Sequence, residues 1–117
     1  MEMKKNVRCL YVKPLVDNDE VIHLETQEAL CRSFASKQGW TLSNESYASL
    51  FLGDEITPNI FKQLIDICCT APTSKFDVLL IASRSCLDIP EAYIEQVINW
   101  LYKNNVETWS VREGRLV

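Results

Sequence analysis

Ser83, Arg84 and Ser85 follow directly on an apolar run, Phe76 to Ala82. By type they could do chemistry: two hydroxyls able to act as nucleophiles flank a guanidinium able to steady a developing negative charge. A second such place is Tyr11 and Lys13, at the end of the run Val7 to Val12. The plainer reading of the same residues is structural. Small hydroxyl residues after an apolar run are turn formers, and a tyrosine with a lysine at a strand end is a packed ring beside a rim charge.

The elements that must position these residues are legible from their patterns. Phe76 to Ala82 is short, almost uninterrupted and rich in residues that pack on a pleated surface, which predicts a strand buried on both faces of a parallel sheet. In open parallel sheets ligands collect beyond the carboxyl ends of the strands, so residues 83–85 lie where a site is expected. Val7 to Val12 reads as the first strand, ended by Pro14. Asp17-Asn18-Asp19 offers caps for a helix running to about Gln38, and Gly39 is placed to end it in the left-handed conformation. Trp40 to Tyr47 alternates weakly, as an edge strand with one wet face would. Thr57-Pro58 predicts a helix start, followed by Ile60, Phe61, Leu64, Ile65 and Cys68 at helical spacing. Asp88, Pro90 and Glu91 begin another helix with the buried stripe Tyr93, Ile94, Val97, Ile98 and Leu101, which Asn104-Asn105 closes. Val106 to Val111 is a further strand, and 112–117 a short tail. The order βαβαβαβ predicts one α/β domain over residues 1–117, a three-layer, mostly parallel sheet with helices on both faces.

Composition narrows the function. The chain has 117 residues, net charge −4 and no clustered basic stripe, a poor basis for binding DNA directly, because phosphate contacts supply most of that affinity. Lys4, Lys5 and Arg8, like Arg112 and Arg115, are expected on a solvated surface. No apolar stretch is long enough to span a membrane and the amino terminus lacks a signal-peptide pattern, so a cytoplasmic location with no membrane partner is the expectation. Cys9, Cys31, Cys68, Cys69 and Cys86 include no C-x-x-C, and His23 has no cysteine at ligand spacing. Neither a metal nor another cofactor is expected.

Several phrases, taken in order, resemble the catalytic domain of serine recombinases, the resolvase and invertase family. Cys9-Leu10-Tyr11-Val12-Lys13 is similar to its opening strand, Leu24-Glu25-Thr26-Gln27 to the start of its first helix with the characteristic glutamine, and Gly39-Trp40 to that helix's end. Gly53 falls on the glycine of a loop after the second strand. Lys75 to Leu80 resembles the third strand, and Val106 through Glu113-Gly114 the next strand and turn. The resemblance implies a resolvase-like fold and, for the family, a serine that attacks a DNA phosphate while arginines stabilise the charge.

Position by position, the resemblance also implies that this chemistry has been eroded. The nucleophile's position is Leu15, which has no lone pair, and Lys13 stands where the family has its first arginine. Tyr11 and Gln27 are retained. The acidic position after the second strand is Ala48 and a loop serine's is Leu52. The Asp-Arg-Leu-Ser-Arg phrase after the third strand falls on Ser85, Cys86, Leu87, Asp88 and Ile89, so both arginines are gone unless a shifted register brings Arg84 into the site. The family continues past this sheet into a long dimerising helix and a DNA-binding segment, and the resemblance ends at Val117, short of both.

The expectation is a catalytically inactive recombinase-like domain that acts through binding or regulation, with a protein partner or self-association rather than DNA as its direct contact. Leu15, Leu52 and Ile89 would form an apolar patch at the rim, expected to close on itself because compact domains bury such groups. The alternative is a working recombinase with a displaced site that uses Ser83 or Ser85. A third reading, a signalling receiver or a small nucleotide binder, lacks the acidic cluster or the Gly-rich loop it would need.

Overall fold

The computed structural model describes residues 5–15, 21–50, 57–73 and 75–116. The chain runs through β1 (Asn6–Lys13), α1 (Leu24–Lys37), β2 (Thr41–Ser49), α2 (Ile60–Thr70), β3 (Val78–Ile81), α3 (Glu91–Lys103), β4 (Glu107–Ser110) and β5 (Gly114–Arg115). Between β3 and α3, Arg84–Cys86 form a single 3₁₀ turn. The five strands make one sheet in the order β2-β1-β3-β4-β5, parallel except for the antiparallel β5. The expected α/β class and mostly parallel sheet are what is found.

Side-chain alternation along the strands builds the three layers. Val7, Cys9 and Tyr11 on β1, with Val78, Leu80 and Ala82, pack beneath Cys31 and Ala35 of α1. Leu10, Val12, Leu79 and Ile81 point the other way, into a core with Ile60, Leu64 and Ile67 of α2 and Ile94, Ile98 and Leu101 of α3. Asn104 and Asn105 close α3, Asn105 with φ +64°, and Gly39 ends the first helical segment at φ +72°, as the sequence predicts.

Several details depart from the sequence reading. The second strand is longer than Trp40 to Tyr47 and pairs with β1 over its whole length, with a register shift opposite Val7 and Arg8. The cap of α2 is Asn59, whose side chain accepts from the Lys62 N–H at 3.0 Å, and not Thr57. The local proline signal is overridden because Ser49 N–H donates to Pro58 O and Ser49 bridges Asn59, drawing 58–59 alongside β2. Residues 114–115 are not tail but a short strand, reached through Gly114 at φ +85°. Helix α1 begins at Leu24 with His23 at its N-cap, so residues 17–19 are not its caps; those residues, like Leu52 and Gly53, lie outside the described residues.

A further departure is Arg8. It is buried on the α2 side of the sheet, where Nε donates to Ser46 Oγ at 3.0 Å, Nη1 to Thr70 Oγ1 at 3.1 Å and Nη2 to Asp66 Oδ2 at 3.1 Å. Its guanidinium also lies 5.8 Å from the centre of the Phe76 ring. Fork geometry suits one guanidinium to three partners on two elements. We expect Arg8→Ala to lower unfolding free energy by about 2 kcal/mol, since Asp66 stays solvated but two hydroxyls and an apolar stem lose their contacts. Arg8→Met, which keeps the stem, should lose less, as read from urea unfolding curves.

Candidate functional site at the carboxyl rim of the sheet

Past Cys9, its last residue in register with β3, β1 runs on toward the rim. There the Gln27 side chain, 1% exposed, takes the place of a neighbouring strand. Its Oε1 accepts from Val12 N–H at 2.8 Å, and Nε2 donates to Val12 O and to Ile22 O, both at 2.7 Å. The retained glutamine is therefore a brace between α1, the end of β1 and the segment leading into the helix. Both polar atoms of its amide are engaged by backbone.

Beside this brace is a small concavity of about 140 Å³, lined by Val12, Pro14, Leu15, Val21, Ile22, Gln27, Leu50, Ser85, Cys86 and Asp88. Four of the positions singled out in the sequence thus meet: Leu15, Gln27, Ser85 and Cys86. Leu15 is 56% exposed, so the expectation that the rim's apolar groups close on themselves fails for it. A cavity of this size holds a group no larger than benzene, far below what a nucleotide cofactor requires. Among the described residues no group of His, Cys, Asp or Glu has the spacing to hold a metal ion.

The remaining positions go elsewhere. Tyr11 is fully buried on the α1 side, its hydroxyl donating to Glu45 Oε2 at 2.5 Å. Glu45 also accepts from Arg32 Nε at 2.9 Å and Nη2 at 3.2 Å, and Arg32 reaches Glu28, which accepts from Tyr47. Lys13 is exposed. Ala48 is beside Val12 near the end of β2, but its side chain is enclosed in the core under α2. Ile89 is half-buried against that same core and lines a second, shallower hollow with Ser83, Arg84, Ser85, Leu87, Asp88, Glu91, Ile94 and Glu113.

Ser83, the hydroxyl best placed to react, is 4% exposed and committed inside the protein. Its Oγ lies 3.1 and 3.2 Å from the two carboxylate oxygens of Glu113 and 3.0 Å from Ser85 Oγ. Glu113 also accepts from the Arg84 N–H at 2.5 Å, while its own N–H donates to Ser110 Oγ at 2.7 Å. The Arg84 guanidinium is paired with Glu91. A carboxylate therefore stands on the donors that would otherwise meet an external anion. Sequence reasoning missed Glu113 as part of the rim: it is placed by the β4–β5 turn, whose one visible sign was the glycine that follows it.

Neither a protein-family model nor a curated protein sequence matches the chain. Its similarity is to solved structures. A resolvase-family site-specific recombinase from Streptococcus pneumoniae superposes with a TM-score of 0.76 at 16% identity, over 95% of this chain and 74% of that one. The N-terminal catalytic domain of TP901-1 integrase gives 0.69 at 17% identity, over 94% of this chain and 79% of that one. For the C-terminal catalytic domain of ISC1926 TnpA, an IS607-like serine recombinase, the values are 0.61 and 16%, over 91% and 67%. The fold is that of a serine recombinase catalytic domain.

On this recombinase fold, Gln27 is positioned to test the brace. Gln27→Leu strands one N–H and two carbonyls in a dry site, and we expect a loss of about 2–4 kcal/mol in denaturant unfolding, with the Val12 amide among those whose exchange protection falls.

The Tyr11 cluster sets a pH dependence. Hydrogen bonds from Arg32, and then from Tyr11, hold the Glu45 carboxyl below its ordinary value, so its stabilisation is present at neutral pH and lost as pH falls below about 4.5. Burial, and then the bond to Glu45, push the Tyr11 hydroxyl up, so its contribution is present below about pH 10 and lost above it. Urea midpoints recorded across pH should flatten on the acid side for Glu45→Gln and on the alkaline side for Tyr11→Phe.

Proposed function

We propose that this recombinase-like domain does not cleave DNA and works by binding a protein. The observation that carries this reading is the state of the rim. An exposed leucine occupies the position that the family resemblance gives to the nucleophile. The nearby donors, Ser83 Oγ and Arg84 N–H, face Glu113. Phosphoryl chemistry requires an activated nucleophile and preorganised cations where charge develops. Here an anion stands at the donors, and the rim arginine is held by Glu91. Net charge of −4 adds a general repulsion toward DNA. Any role in DNA recombination would then be indirect, through an associated protein.

A working recombinase that uses Ser83 or Ser85 predicts the opposite in one assay. The chain is expressed with an affinity tag, DNA is purified under denaturing conditions, and covalently attached protein is scored, with supercoiled and nicked plasmid as the matched test in vitro. We expect no attached protein above the level of a Ser83→Ala, Ser85→Ala control. Adducts that vanish in that control would show a displaced nucleophile and end the binding reading.

A further inference from the structure

We propose that the carboxyl rim is a docking groove for a basic, apolar-anchored peptide segment of another protein. The inference rests on the binding reading above and names its partner's chemistry. The small concavity beside Gln27 and the shallower hollow beyond it adjoin, with Ser85 and Asp88 lining both. The inner end is mostly apolar: Val12, Pro14, Leu15, Val21, Ile22 and Leu50, with Gln27, Ser85, Cys86 and Asp88, line about 140 Å³, room for one aliphatic or methionine side chain. The outer end is acidic. Asp88, Glu91 and Glu113 line it against a single guanidinium, Arg84, which Glu91 already neutralises.

Charge complementarity selects the occupant. Asp88 is exposed where the two hollows meet, so a Lys or Arg a few residues from the anchor would meet it as the anchor seats. A polyanion would meet Asp88, Glu91 and Glu113 along the outer hollow, with its one lining cation, Arg84, already paired to Glu91. The leucine at the rim is what an anchored segment needs, since a half-exposed apolar side chain beside a pocket gains most from being covered. The rim of a recombinase fold is thereby turned from anion handling to cation reading.

The test is selection from a random-peptide phage library on the 117-residue chain, with counter-selection on Leu15→Asp. Leu15 and Asp88 are exposed, so both Leu15→Asp and Asp88→Lys should keep the native amide spectrum. Enriched peptides are expected to carry an aliphatic or Met residue within a turn of Lys or Arg. They should bind saturably, weaken about tenfold or more with either variant, and shift the amides of Leu15, Leu50, Ser85 and Asp88. Acidic consensus peptides, affinity indifferent to both variants, or shifts confined to the outer face of α2 and α3 would overturn the proposal. So would self-association through the rim, or a library that yields no saturable binder. These failures leave the non-cleaving reading standing, because only covalent DNA adducts remove that.

Discussion

The carboxyl end of the sheet depends on one amide. β1 extends beyond its register with β3, and an unpaired peptide group in a dry position costs as much as a lost hydrogen bond. Gln27 meets that requirement from α1, receiving the Val12 N–H and donating to two carbonyls. The same three bonds fix the height of α1 over the sheet and the path of the backbone into Pro14 and Leu15. What the rim presents is set by where this brace holds β1.

A scaffold of this kind does not dictate chemistry. The brace, the buried Tyr11 and the strand order are compatible with a recombinase fold, and three solved recombinase domains share it. The rim is a separate matter of which groups stand free. Glu113 answers Ser83 and Arg84 N–H, Glu91 answers the Arg84 side chain, and Leu15 offers carbon. Satisfying donors from within makes a stable turn, and on the proposed reading it is what keeps them from a substrate.

Much of this was readable from local signals. The all-apolar run before Ser83 gave a strand buried on both faces, and Gly39 and Asn104-Asn105 marked helix ends because their backbone demands are local. Arg8 was misread as a surface charge since its partners, Ser46, Asp66 and Thr70, are distant in sequence and come together only when α2 covers β1. The start of α2 slipped to Asn59 for a similar reason, a pairing with Ser49 that no window around Thr57 contains. At the rim, Leu15, Gln27, Ser85 and Cys86 line one concavity, whereas the side chains of Tyr11 and Ala48 belong to the two cores, and strand alternation rather than proximity in the chain decides that.

The central claim is that the rim is closed to phosphate and turned to other partners. The most direct measurement is equilibrium binding of this chain to a short fluorescent DNA duplex, followed by anisotropy from low to physiological salt. The account predicts no saturable binding at low salt, where phosphate contacts are strongest. Saturable binding that falls steeply with salt, and that is lost on replacing Arg84 with alanine, would contradict it.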